Sequence, residues 1–286
     1  MLIAIVMAAI FCFLGVGPAP ARAESTGAST TRLSIIQHDI NDLIHLDRLL
    51  DMMAHEAVSE LLLSLGEGMG PDDSAVLRIN LQRIYAPERL SRLMSAALSA
   101  ELAAQDPQVI DMALRFYDSP PGRRLVGLEL SARRVLLDPD QMQVADEMLS
   151  QAQERGDPRL DQIERLIAAT DVVETGVVSG LNGSIQSTRG FYAAIGERPD
   201  PQELTVDATL IEDRLRPEIS QWVRRMLLLA YQPLDDAEIE ALIVFVATPE
   251  ARILSACLNR AFDAVFMRLS FEVGIISGAA LSGEGI

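Results

Sequence analysis

The three histidines of this 286-residue chain, His38, His45 and His55, fall within one short stretch of sequence. Their spacing predicts a single helix on which His38, Asp42 and His45, at positions i, i+4 and i+7, share a face. Imidazole and carboxylate groups on one face are ligands that a zinc ion accepts. These three residues are therefore candidates for a metal site, although an ordinary solvated face of an amphipathic helix is the favoured interpretation.

The opposite side of that helix is predicted to be buried, through Ile36, Ile40, Leu43, Leu50 and Leu61. This orientation would place Glu56 in solvent beside the histidines. The segment His55-Glu56-Ala57-Val58-Ser59 begins like a zinc-protease motif, but Ser59 stands where the second histidine ligand is required. The sequence therefore excludes that motif.

Other catalytic patterns give no positive signal. The chain has no lysine, which excludes a Walker-type phosphate loop and a Schiff-base lysine, and it has no Gly-x-Ser-x-Gly elbow. Cys257 sits in a helical apolar pattern with Leu254 and Leu258, which predicts a buried and inert thiol. Carboxylates are abundant, so a hydrolase that uses two carboxylates or the histidine metal site stays an alternative. No cofactor is predicted.

The N-terminus is typical of a secretory signal peptide. Residues 1–17 are almost wholly apolar, Pro18 follows, and Ala21-Arg22-Ala23 precedes the polar Glu24. Cleavage is predicted between Ala23 and Glu24, which makes the mature protein periplasmic or secreted. A retained anchor is the alternative, although the stretch is short for a spanning helix of about 20 apolar residues. No later run approaches that length, so no membrane span is predicted in the mature chain.

Charge restricts the partners of this protein. The chain carries 24 basic residues, all arginine, against 41 Asp and Glu, for a formal net charge of −17. Removal of residues 1–23 takes away one arginine and lowers the net charge to −18. Nucleic acids and anionic lipid surfaces are bound through basic side chains, so both are poor partners for this chain. The expected partners are envelope proteins.

A capping residue followed by proline marks the helix starts. Asp, Ser or Thr accepts a hydrogen bond from a free N–H group of the first turn, and proline fits the first position because its missing N–H has no partner there. The pattern occurs at Asp106-Pro107, Ser119-Pro120, Asp138-Pro139, Asp157-Pro158, Asp200-Pro201 and Thr248-Pro249. Apolar residues then recur every three or four positions, and strand alternation is nearly absent. The prediction is an all-α array of about ten or eleven helices.

Small residues form a stripe between residues 176 and 194, with alternating spacings of four and three. Its members are Gly176, Gly180, Gly183, Ser187, Gly190 and Ala194. On a helix, such a stripe lets a second helix approach closely. One long helix is therefore predicted from about residue 158 to residue 195, although each glycine costs about 1 kcal/mol of helix propensity.

A ten-residue segment occurs twice: residues 116–125, FYDSPPGRRL, align with residues 245–254, FVATPEARIL. The matched positions are Phe116 and Phe245, Ser119 and Thr248, Pro120 and Pro249, Gly122 and Ala251, Arg123 and Arg252, and Leu125 and Leu254. Upstream, Pro87-Glu88 matches Pro217-Glu218. Two helix–turn–helix units are therefore predicted, around residues 87–137 and 217–275, within one domain that spans residues 24–286.

The repeated turn has a structural interpretation. Its phenylalanines are predicted to pack in the core, its hydroxyl residues to cap helices, and its small residues to let helices meet closely. Arg123 and Arg252 are harder to place, because a cation in the first turn opposes the helix dipole. An ion pair with the packed helix is the favoured role. An anion bound at the helix start is the alternative, which Pro120 and Pro121 weaken because they lack N–H donors.

The first copy, Phe116-Tyr117-Asp118-Ser119-Pro120-x-Gly122-Arg123-x-Leu125, resembles the Phe-Tyr-x-Ser-Pro-x-Gly-x-x-Leu signature of the bacterial family called domain of unknown function 2059. Residues 170–174, 231–234 and 262–266 also look like longer members of that family, so the resemblance covers most of the mature chain. It implies a helical protein, usually with a signal peptide, without an established activity. The second copy departs from the signature at Val246 and Ala251.

The expected function is that of an exported, non-enzymatic helical protein that binds or scaffolds other molecules, with a role in cell-envelope upkeep. The hydrolase described above is one alternative. An anion- or peptide-binding protein that uses the Arg123 turn is the second.

Overall fold

The computed structural model describes residues 27–67 and 69–282, which form twelve α-helices and no strand. The helices are α1 (Gly27–Ile44), α2 (Leu46–Leu65), α3 (Pro71–Ile84), α4 (Pro87–Leu102), α5 (Pro107–Asp118), α6 (Pro120–Leu136), α7 (Pro139–Arg155), α8 (Pro158–Thr170), α9 (Val172–Ala194), α10 (Pro201–Ala230), α11 (Asp236–Val246) and α12 (Pro249–Ser282). The predicted all-α class is confirmed.

The capping residues begin their helices as predicted. Each side chain accepts a hydrogen bond from a backbone N–H group in the first turn of its helix, and the proline occupies the first helical position. The pairs are Asp106 with Gln108, Ser119 with Gly122, Asp138 with Asp140, Asp157 with Arg159, Asp200 with Gln202, and Thr248 with Ala251. Helix α11 begins without proline, through a capping box in which the side chains of Asp235 and Glu238 each accept from the other residue's N–H.

Two groups of buried apolar residues fill the fold. The first core lies mainly among α1 to α5 and α12, and the second core among α6 to α11. Helix α6 borders both, because Val126 and Leu130 pack in the first core whereas Leu125 and Leu136 pack in the second. We call the boundary between the two cores, along α6, the seam.

Helices α9 and α12 pack in close contact, as the small-residue stripe predicted. The facing pairs are Gly183 with Ser270, Ser187 with Gly274, and Phe191 with Gly278. Residue numbers rise together along the two helices, so they run parallel. A Cβ atom added to Gly190 or Gly274 would lie 2.0 Å from a carbonyl oxygen of the other helix. Backbones this close therefore require glycine on both sides.

Two helices predicted to be continuous are broken at residues in the left-handed region. His45 separates α1 from α2 and Asp171 separates α8 from α9, each with φ of 53°. Asp and His adopt this region more readily than most side chains, and no glycine or proline marks either break. The predictions of one helix for all three histidines and of one helix from residue 158 to residue 195 are therefore wrong.

Pro217 lies inside α10 rather than before a new helix. Leu215, Ile219 and Val223 are all buried and form a continuous apolar face on both sides of the proline. Packing of this face holds the helix together despite a cost of about 3 kcal/mol for an interior proline. The predicted match with Pro87 is therefore wrong, because Pro87 begins α4 whereas Pro217 does not begin a helix.

No single helix within the described ranges is long and apolar enough to cross a membrane. Helix α11 combined with residues Pro249–Ala280 meets the length and composition criteria, but the two segments are bent by 75°.

Candidate functional site

Helix α6 carries two charged side chains on its buried face. Glu129 and Arg133 are only 4% and 2% exposed, and they occupy positions of the apolar stripe that includes Leu125 and Leu136. Their i, i+4 spacing places them one turn apart and directs both at the seam. Because a buried charge is costly unless it is paired, each of these side chains needs a specific partner.

Arg133 connects the two sides of the seam. Its Nη2 atom donates a hydrogen bond to Oε2 of Glu56 in α2 over 3.0 Å, and its guanidinium carbon lies 5.2 Å from the ring centroid of Trp222 in α10. Burial lowers the pKa of Arg133, and the attraction and hydrogen bond of Glu56 partly offset that effect. The ion pair and the cation–π contact reduce the cost of desolvating the guanidinium.

Glu129 is held in the seam by the tyrosine that directly follows α10. The hydroxyl of Tyr231 donates a hydrogen bond to Oε1 of Glu129 over 2.5 Å. Burial raises the pKa of Glu129 to about 7, against a smaller lowering by this hydrogen bond. Such a pKa is typical of catalytic acids. Glu129 is nevertheless almost fully buried, so the structure offers this carboxyl group no direct contact with a substrate.

A groove of about 730 Å³ opens between α2 and α6. Polar residues of its lining include His45, Arg48, Asp51 and Arg134, and apolar residues include Met52, Leu130 and Val135. The groove volume is within the range of about 300 to 1,000 Å³ found for small-molecule sites. We refer to it as the α2–α6 groove and regard it as the candidate binding site.

The two arginines of the α2–α6 groove form no ion pair with the described part of the chain. Twelve of the 23 described arginines form ion pairs with described residues, and Arg48 and Arg134 are among the eleven that do not, but these two line the same groove. Together with Asp51 they give the lining a formal charge of +1 when His45 is counted as neutral. The groove is therefore positive in a chain of net charge −17.

The groove adjoins the polar cluster of the seam. Arg134 follows Arg133 in α6, and Met52 lies one helical turn before Glu56 in α2. The Arg133–Glu56 ion pair therefore connects the two helices that form the groove walls. Glu56 was predicted to face solvent, which is wrong because Arg133 of α6 takes it into an ion pair in which the Glu56 side chain is only 21% exposed.

The structure separates the three predicted metal ligands. His38 and Asp42 lie 3.4 Å apart, and His38 lines a different groove of about 340 Å³ beside α4, whereas His45 lines the α2–α6 groove. The helix break at His45 causes this separation, because it ends the i, i+7 relation with His38. Among the described residues, no group of three or more His, Cys, Asp or Glu side chains is arranged to hold a metal ion.

The arginines of the repeated turns do not form an anion site together. Arg123 forms an ion pair with Asp118 at the end of α5 and donates to the Asp118 carbonyl oxygen, which agrees with the favoured salt-bridge role. Arg252 is exposed and forms no ion pair with the described part of the chain. The positive groups that converge on a groove are instead those of the α2–α6 groove.

Cys257 is a buried thiol, as predicted. Its side chain lies in the first core, and burial raises its pKa to about 11 against a lowering by Arg260. The thiolate form is therefore scarce at neutral pH, and Cys257 is not a nucleophile candidate.

Sequence reasoning missed Glu129 and Arg133, although a signal for them exists. Both charged residues interrupt the apolar stripe of α6. Charged side chains rarely lie in a core without partners, so such an interruption indicates a buried and paired group. The α2–α6 groove had no comparable signal, because it arises from the packing of helices about 80 residues apart in sequence.

Comparisons with known protein families, with curated proteins and with solved structures found no match to this chain. The predicted cleavage site at Ala23 and Glu24 lies outside the described residues.

Proposed function

We propose that this chain is an exported helical binding protein of the cell envelope, related to the family that it resembles. Its ligand is anionic, binds in the α2–α6 groove and is not chemically changed there. One observation carries the proposal: Arg48 and Arg134 face one groove without an ion pair to any described residue, although acids outnumber arginines in the chain. Guanidinium groups bind carboxylate and phosphate oxygens through paired N–H donors.

The negative net charge is compatible with an anionic ligand. At physiological ionic strength the field of exposed charges is screened over about 8 Å, whereas a ligand in the groove touches the arginines directly. The distant acids then affect the rate of association more than the affinity.

The seam supports a preformed site. Arg133 is fixed by Glu56 on one side and by Trp222 on the other, so the two groove walls are connected at a buried position. A site that is ordered before binding loses less conformational entropy when the ligand enters. Trp222 is also the only tryptophan of the chain, and its contact with Arg133, the neighbour of Arg134, makes its fluorescence a reporter of the groove.

Calorimetric titration and Trp222 fluorescence with acetate, inorganic phosphate and decanoate, the last below its micelle concentration, test the proposal. We expect at least one of these anions to bind, and we expect Arg48→Ser and Arg134→Ser each to weaken that binding about tenfold, the effect of about 1.4 kcal/mol. Arg92→Ser is the matched control, because Arg92 is an exposed arginine of α4 outside the groove lining. Absence of binding by all three anions, or equal binding by the double arginine variant, would contradict the proposal.

Export is tested separately by mass spectrometry of the protein in periplasmic and cytosolic fractions. We expect a periplasmic chain that begins at Glu24. A cytosolic chain that retains residues 1–23 would contradict this part of the proposal.

A further inference from the structure

We infer that the ligand of the α2–α6 groove is a singly charged amphiphile, namely a carboxylate with an unbranched apolar chain about the size of decanoate. This inference rests on the proposed function and specifies the chemical class of its ligand.

The charges of the groove favour a single negative charge on the ligand. Arg48 and Arg134 supply two positive charges, and Asp51 in the same lining supplies a negative one. A monocarboxylate can neutralise the resulting charge of +1, whereas a phosphate dianion would overcompensate it and would be repelled by Asp51.

The apolar part of the lining favours a ligand with an apolar chain. Met52, Leu130 and Val135 border the groove beside the charged residues, and Val135 is 39% exposed. An apolar chain placed against these side chains would remove apolar surface from water on both partners. Acetate or inorganic phosphate would leave that surface exposed.

The groove is large enough for such a ligand. A volume of about 730 Å³ accommodates the whole amphiphile with water beside it. A ligand with a charged head at the arginines and a chain along Leu130 and Val135 uses both parts of the lining, which is the usual composition of small-molecule sites.

The test compares ligands that differ in one property each. Acetate, octanoate and decanoate differ in chain length, and decyl phosphate has the chain of decanoate with a head group of higher charge. With the full mature chain we expect decanoate to bind about tenfold or more tightly than octanoate, since each buried methylene contributes about fourfold. We expect decyl phosphate to bind less tightly than decanoate, and Asp51→Asn to reduce that difference.

Variants separate the apolar part of the site from the charged part. Val135→Ser should weaken decanoate binding about fivefold and should weaken acetate binding less, because the branched side chain that the decanoate chain covers is lost. Val144→Ser is the matched control, because Val144 is an exposed valine of α7 outside the groove lining. The melting temperature of each variant verifies that it is folded.

The outcomes distinguish this inference from the proposed function. Equal affinity for acetate and decanoate, both lost in the arginine variants, would overturn the amphiphile inference and leave the anion-binding function intact. Tight decanoate binding that neither the arginine variants nor Val135→Ser weakens would overturn the inference, because decanoate would then bind elsewhere. No binding of any anion would overturn both.

Discussion

The aromatic rings of Phe116 and Phe245 stack face to face, with centroids 3.8 Å apart and planes inclined by 10°. These residues are the equivalent phenylalanines of the two repeated turns, and both pack against the first and the second core. Tyr117 meets Phe116 and Phe245 edge-on, with centroids 5.6 and 5.4 Å away. The two turns with similar sequences therefore lie against each other, where they join the cores.

The Phe116–Phe245 stack predicts energetic coupling between the two turns. Because both rings are only partly buried, we expect Phe116→Ala and Phe245→Ala each to lower the free energy of unfolding by about 2 to 3 kcal/mol. The loss in the double variant should be about 0.5 to 1.5 kcal/mol smaller than the sum of the two single losses. This difference is the usual coupling energy of an aromatic pair. Urea unfolding measures all three values.

Val244→Ala provides the control for the aromatic cycle. Val244 is in the same helix as Phe245 but is 68% exposed, so its truncation should change the free energy of unfolding by less than about 0.5 kcal/mol. Strict additivity of Phe116→Ala and Phe245→Ala would contradict the proposed coupling.

The close approach of α9 and α12 predicts a large effect of a single methyl group. Gly274→Ala would place a Cβ atom 2.0 Å from the carbonyl oxygen of Ser187, so the helices must separate. We expect a loss of about 2 to 4 kcal/mol in the free energy of unfolding, comparable to overpacking a core. Thermal and urea unfolding provide the measurement.

Gly127→Ala in α6 is the matched control for Gly274→Ala. An added Cβ at Gly127 meets no atom within 4 Å. Alanine has the higher helix propensity, so this variant should be stabilised by up to about 1 kcal/mol. If both variants lost stability equally, the helix contact would not be the cause.

Capping patterns and small-residue stripes were predictable from the sequence because each depends on residues within a few turns. The six capping residues, the helices that they begin and the contact face of α9 were therefore predicted correctly. The breaks at His45 and Asp171 were not, because neither residue requires the left-handed region and packing of the flanking helices selects it. The α2–α6 groove also depends on packing between distant helices, so the convergence of Arg48 with Arg134 was not predictable.

The left-handed conformation of Asp171 predicts sensitivity to side-chain shape. Asp171→Val places a β-branched residue at φ of 53°, which we expect to lower the free energy of unfolding by about 1 to 2 kcal/mol. Asp171→Asn should be tolerated within about 0.5 kcal/mol, because Asn also adopts this region. Asp213→Val, at an exposed position within α10, is the control and should have little effect because Asp and Val have similar helix propensity. Equal losses at positions 171 and 213 would exclude a backbone cause.

The buried carboxyl of Glu129 predicts a pH-dependent stability. Its pKa is raised by burial from 4.5 to about 7, so between these values the unfolded chain has lost a proton that the folded chain keeps. Because the folded state binds more protons there, its stability falls as pH rises through this window, and the loss is complete above about pH 7. The whole pKa shift of Glu129 corresponds to a loss on the order of 3 kcal/mol in the free energy of unfolding.

Glu129→Gln isolates this contribution, because glutamine is neutral at every pH and its carbonyl oxygen can still accept the Tyr231 hydrogen bond. We expect the variant to equal the native protein near pH 4 and to become progressively more stable than it between about pH 5 and pH 7, as measured by urea unfolding with Trp222 fluorescence. Glu147→Gln, at an exposed position in α7, should show no such divergence. A difference between Glu129→Gln and the native protein that stays constant with pH would show that the folded protein does not hold this proton, and that the seam accommodates Glu129 as a carboxylate.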